Sequence, residues 1–222
     1  MFRKTCILGI ILVVSLYLAK CLFVFLTGIQ LAEFHPAGVI FVMDISNSNK
    51  LLRESEEKTI LKICKSLDYE DKSKIYVLND SAFVIYNEAP NKRASIKKAF
   101  LQHGNFDKNS KGAAYGVALK KAVDDALILK KQGYRPSIVI LGDLESKGSL
   151  DKQINWEKLT QNMANTMKYI PDLSLVFLYA HPKILENSRD KLRNVIPDEQ
   201  LFFASEETVN LTVERFIKSI GR

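Results

Sequence analysis

Gly38-Val39-Ile40-Phe41-Val42-Met43-Asp44 runs straight into Ile45-Ser46-Asn47-Ser48. The first seven residues are almost wholly apolar, too few for an ordinary helix and without the polar alternation of a half-exposed strand. They predict a strand covered on both faces, the kind found in the middle of a parallel sheet. One acid and two hydroxyls then leave that strand at its carboxyl end, where open parallel sheets place their ligands.

Working outward, strand-like and helix-like patterns alternate. Residues 50–67 carry apolar side chains at helical spacing, and 74–79 and 82–86 read as two strands joined by a tight turn at Asn79-Asp80-Ser81. A short helix is expected over 91–101 and a longer one over 116–131, with Leu119, Ala122, Val123, Ala126 and Leu127 in one stripe and Gly133 just past its end. A second buried strand is predicted at 137–142 (SIVILG) and a third at 173–179, with helices over 155–169 and 184–195. A short strand at 201–204 and a closing helix over 206–220 complete the pattern. Such alternation implies an α/β three-layer sandwich: a Rossmann-like, mostly parallel sheet with one antiparallel edge strand and helices on both faces.

The strand at 137–142 ends in Asp143-Leu144-Glu145, so Asp44, Ser46, Ser48 and Asp143 should converge on one edge of the sheet. Oxygen-only donors of this kind suit a hard cation, Mg²⁺ or Mn²⁺. The same residue types also make turn and helix-capping hydrogen bonds, and spacing leaves both readings open.

Asp44-x-Ser46-x-Ser48 after a buried first strand resembles the metal-ion-dependent adhesion site (MIDAS) of von Willebrand factor A (VWA) domains. Gly112-Ala113-Ala114-Tyr115-Gly116 resembles that family's Gly-Thr-x-x-Gly stretch opening a helix, and Ile138 to Glu145 resembles its strand ending in Thr-Asp-Gly. The resemblance covers roughly residues 36 to 220, and three segments in the right order make it more specific than DxSxS alone. It implies that Ser46 and Ser48 ligate directly, while Asp44 and Asp143 act directly or through water. A partner's Asp or Glu carboxylate would then complete the shell of an electron-poor cation. The departures are specific. Ala113 stands where the family has a ligating threonine, Gly142 replaces the threonine before the aspartate, and Leu144 replaces the glycine after it. The site is therefore expected to be degenerate, either weakened or free of metal. The polar loop 102–111 lies beside it, where Asn105 and Asp107, with Asn47, are candidate ligand-binding residues.

Thr5 to Ala32 is 28 residues carrying one charge, Lys20. As a helix it would extend roughly 42 Å, enough for the hydrocarbon core of a bilayer. Apolar residues continue past Lys20 and no small-x-small site precedes Phe34, which favours an uncleaved signal anchor over a removed leader. Arg3 and Lys4 before the span place the N-terminus in the cytoplasm. The expected organisation is a cytoplasmic N-terminus and transmembrane anchor over 1–33, then a VWA-like domain over 34–222 on the periplasmic or extracellular side. Cys6 and Cys21 fall in the span, leaving Cys64 as the one thiol of the domain, and its apolar neighbours predict a buried, inert group.

Basic residues number 32 against 25 acidic, with no long basic run, which gives nucleic-acid binding little support. There is no Walker loop, Gly-x-Ser-x-Gly or His-Glu-x-x-His motif, and the three histidines are scattered. His181 reads as a solvated loop residue, Lys120, Lys121, Lys130 and Lys131 as a solvated helix face, and Trp156 as an anchor of its helix on the sheet. These features point to a protein-interaction module rather than an enzyme. The alternatives are a metal-free scaffold subunit of an envelope complex and, more distantly, a divalent-metal-dependent phosphohydrolase.

Overall fold

In a computed structural model of the chain, the structure describes residues 14–16, 35–46, 49–103, 113–144 and 154–221. The chain divides into two units, Met1–Phe34 and His35–Arg222, and every strand among the described residues belongs to the second. Among the described residues no helix is long and apolar enough to cross a membrane. The predicted span lies outside the described residues except at 14–16, which are helical.

Among the described residues, six strands form one sheet: β1 (Ala37–Asp44), β2 (Lys72–Leu78), β3 (Ala82–Glu88), β4 (Arg135–Leu141), β5 (Ser174–Leu178) and β6 (Leu201–Ala204). Their order is β3-β2-β1-β4-β5-β6, which puts β1 in the interior with β2 and β4 parallel on either side. All pairs are parallel except β2 with β3. That antiparallel edge arises from the expected turn, where the Asn79 N–H donates to Ser81 O at 3.0 Å and the Ser81 N–H donates back to Asn79 Oδ1 at 3.1 Å.

Among the described residues, six helices cover the sheet: α1 (Arg53–Ser66), α2 (Arg93–His103), α3 (Tyr115–Lys131), α4 (Trp156–Met167), α5 (Pro182–Arg193) and α6 (Val209–Ile220). Because strand side chains alternate, β1 feeds two cores at once. Val39, Phe41 and Met43 pack with Ile60 and Ile63 of α1, Phe100 of α2 and Phe216 of α6. Ile40 and Val42 face the other way, toward Ala118 and Ala122 of α3 and Met163 of α4. Every residue of β1 is buried, as its unbroken apolar run requires.

The helix boundaries shift from the sequence pattern for local reasons. Pro182 brings the start of α5 forward, since its fixed φ suits a first turn. The Asn155 side chain caps α4 by accepting from the Lys158 N–H at 3.0 Å. Helix α6 begins at Val209 rather than Glu206, because Ser205 and Thr208 close a turn before it. Trp156 packs against Phe177 with centroids 5.8 Å apart, as expected of an anchor. Lys120, Lys121 and Lys131 are exposed as expected and Lys130 is half-buried, and two of the four also make polar contacts. Lys121 donates to Ala82 O at 3.0 Å, and Lys130 pairs with Asp172 at 2.9 Å.

Candidate functional site

Met43 of β1 lies opposite Leu141 of β4, so the two strands end side by side and release Asp44 and Gly142-Asp143 at one edge. Asp44 has no exposed surface and Ser46 almost none. Asp44 Oδ1 accepts from the Ser46 N–H at 2.7 Å, and Oδ2 accepts from the Tyr115 hydroxyl at 2.8 Å. The Ser46 hydroxyl also bonds to this carboxyl. Burial nevertheless outweighs all three donors and pushes the Asp44 carboxyl up to about 6, with the Asp143 charge adding to the rise. Asp143 is half-buried, and its carbonyl accepts from the N–H of His181, the residue that leads into α5. His181 thus joins the edge through its backbone.

Three side chains at this edge were not singled out by the sequence. Tyr115, the first residue of α3, is completely buried and brings a hydroxyl to Asp44. Its own group is held well above the usual tyrosine range, first by burial and then by the Asp44 and Asp143 charges, so it stays a neutral donor. Asn49 donates through Nδ2 to Asp44 O at 2.9 Å and to Glu56 Oε1 at 2.8 Å. Glu56, on α1, has no exposed surface, and its carboxyl is pushed well above the usual range chiefly by burial. Asn49 Oδ1 and Glu56 Oε2 are buried without a hydrogen-bond partner. A signal for Glu56 was present: with Ile60 and Ile63 it falls at spacings of four and three residues on the inward face of α1. Tyr115 had a weaker one, as a lone large residue among Ala113, Ala114 and Gly116.

The backbone is unusual at the same edge. Leu144 and Tyr179 adopt left-handed conformations, with φ of 61° and 66°, conformations that non-glycine residues take at a cost. Leu144 occupies the position where the resemblance has glycine, and it holds the turn with its side chain buried and its N–H 3.4 Å from the Tyr115 hydroxyl. The Tyr179 hydroxyl instead reaches α1, lying 2.7 Å from Thr59 Oγ1 and donating to Ser55 O at 3.0 Å.

The structure therefore brings together Asp44, Ser46 and Asp143, while Ala113 is buried two residues before Tyr115. Ser48, Asn47, Asn105 and Asp107 lie outside the described residues. The described part of the edge does not fit a divalent cation. Ala113 is fully buried and offers no lone pair, and a phenolic O–H is aimed at Asp44 Oδ2. Among the described residues, no three His, Cys, Asp or Glu side chains gather as a metal-binding group.

No protein-family model matches the sequence, and no curated relative matches it. Solved structures do. The VWA domain of SpRpn10 superposes with a TM-score of 0.59 at 14% identity, over 84% of this chain and 97% of that one. BatB from Bacteroides thetaiotaomicron gives a TM-score of 0.54 at 15% identity, over 82% and 98%. Proximal thread matrix protein 1 from the mussel byssus gives 0.56 at 9% identity over 83% of this chain, which spans only 48% of the mussel protein. One structure of that mussel protein has a zinc-occupied MIDAS motif. At these identities the likeness carries the fold, and the fold of residues 35–221 is that of a von Willebrand factor A domain.

Proposed function

We propose that residues 34–222 form a protein-interaction module held at a membrane by residues 1–33, working without catalysis and without a divalent cation. The carrying observation is the meeting of β1 and β4 at the edge where Asp44, Ser46 and Asp143 lie, with a phenolic hydroxyl where a cation-binding arrangement would need an open donor. The membrane part is supported by the 28-residue apolar stretch and by a similar structure, described as an aerotolerance-related membrane protein from Bacteroides fragilis (TM-score 0.51, 13% identity). Of the sequence alternatives, this is the metal-free scaffold. A Mg²⁺ or Mn²⁺ site that captures a partner's carboxylate would need lone pairs that Ala113 cannot supply. A phosphohydrolase would need a second carboxylate beside Asp44 as acid and base, and Ser46 stands there instead.

Photocrosslinking in the native membrane tests the binding face. Leu51 is 94% exposed beside the carboxyl edge, while Tyr169 is 73% exposed at the opposite end of the sheet. A photoreactive residue at Leu51 should give discrete protein adducts that persist in chelator, and the same residue at Tyr169 should give none. Equal labelling from both positions would reject this edge as the binding face.

A further inference from the structure

We infer that the Tyr115 phenol has taken over the place of the cation at the carboxyl edge, and that Tyr115 and Gly142 are locked together as a reciprocal pair. This deepens the cation-free reading above and rests on it. Tyr115 Oη donates to Asp44 Oδ2 at 2.8 Å and lies 3.4 Å from the Leu144 N–H, so one hydroxyl joins the ends of β1 and β4. It gives Asp44 a buried donor on the oxygen that the Ser46 N–H leaves open.

The room for that hydroxyl comes from Gly142. A Cβ built there would lie 2.2 Å from Tyr115 Oη and 2.8 Å from Asp44 Cβ, closer than any side chain tolerates, and a tight 3.3 Å from Tyr115 Cζ. Tyr115 is the first residue of a helix, with no exposed surface, so its ring cannot swing aside without vacating the core. A side chain at 142 and a tyrosine at 115 therefore exclude each other. Ala113, buried two residues before Tyr115, has a methyl where the resemblance has an oxygen donor. The three residues act together: one removes a donor, one supplies a neutral O–H, and one clears the volume it fills. What such an edge offers a partner is hydrogen bonding and shape, with no electron-poor ion to capture a carboxylate.

Two measurements on the purified full chain in detergent test this. The first is Mn²⁺ binding by paramagnetic resonance. No bound Mn²⁺ is expected for the wild type, and saturable 1:1 binding would overturn both this inference and the cation-free reading. The second is a thermal double-mutant cycle between Tyr115→Phe and Gly142→Ala. Tyr115→Phe alone should lower the Tm by about 3–10 °C, because Asp44 Oδ2 loses its buried donor. Gly142→Ala should cost at least about 4 °C less in the Tyr115→Phe background than in the wild type. The φ of +148° at Gly142 penalises alanine in both backgrounds and cancels from the cycle. If Gly142→Ala folds only when combined with Tyr115→Phe, the coupling is shown in its strongest form. An unchanged Tm for Tyr115→Phe, or additive losses, with no Mn²⁺ bound, would overturn the phenol's role while leaving the cation-free module standing.

Discussion

Glu56 lies on the inward face of α1 with no exposed surface, one carboxyl oxygen bonded to Asn49 and the other without a partner. Removing a charge from water costs more than one amide donor returns, so the proton is held in the folded state. The Asp44 and Asp143 charges push in the same direction. The folded carboxyl thus binds its proton more tightly than the unfolded one, whose value lies near 4.5. The resulting stability is complete below that value and is lost as pH rises through the folded one. Each such proton contributes a slope of up to about 1.4 kcal/mol per pH unit within its window. Glu56→Gln keeps the shape and cannot ionise, so urea denaturation at a series of pH values above 4.5 should show a flatter decline than the wild type. Identical slopes would mean that Glu56 is already ionised in the folded protein. Cys64 is a simpler case. Burial pushes its thiol up to about 12, and a maleimide should leave it unmodified until the chain is unfolded.

Helix α3 sits close to the sheet because Ala118, Ala122 and Ala126 repeat every four residues along its buried side. Each methyl fills its site completely, with no exposed surface at any of the three. Ala122→Leu must push the helix off β1 and β4, which should destabilise the domain by about 1–3 kcal/mol, and more than any isolated surface change. Equilibrium denaturation measures this, and a stability within about 0.5 kcal/mol of the wild type would show a looser interface than the packing implies. The same helix shows what the sequence could convey. Its apolar stripe keeps helical spacing from Leu119 to Leu127, so its existence and its inward face were legible from spacing alone. The buried runs at β1, β4 and β5 were legible for the same reason, and the Asn79-Asp80-Ser81 turn followed from residue type. Tyr115 was not. Its role depends on a hydroxyl reaching across to Asp44, 71 residues earlier in the chain, and on the absence of a side chain at Gly142. No periodicity encodes a contact of that kind. The Asp44–Ser46–Asp143 meeting was legible because parallel topology forces strand ends together, whereas the chemistry of the meeting depended on which third residue filled the gap.

At the scale of the whole molecule, a mixed charged surface coexists with a strongly apolar stretch near the N-terminus. The described residues of 35–221 gather most of their large apolar side chains into two cores on either side of one sheet. Thr5 to Ala32 has one charge in 28 residues and would expose a large apolar surface if left in water. Burial at roughly 25 cal/mol per Å² makes membrane insertion the strongest single term available to that stretch. Two extraction experiments separate the parts. The full chain should stay in the membrane pellet under alkaline carbonate, and a variant lacking residues 1–33 should be released as a folded soluble domain. Arg3 and Lys4 ahead of the span, with Glu33 after it, predict the orientation as well. Protease added from the non-cytoplasmic side should digest residues 34–222, while protease confined to the cytoplasmic side of sealed vesicles should leave them intact. Release of the full chain by carbonate would remove the anchor from the proposal, and digestion from the cytoplasmic side would reverse the orientation while leaving the anchor in place.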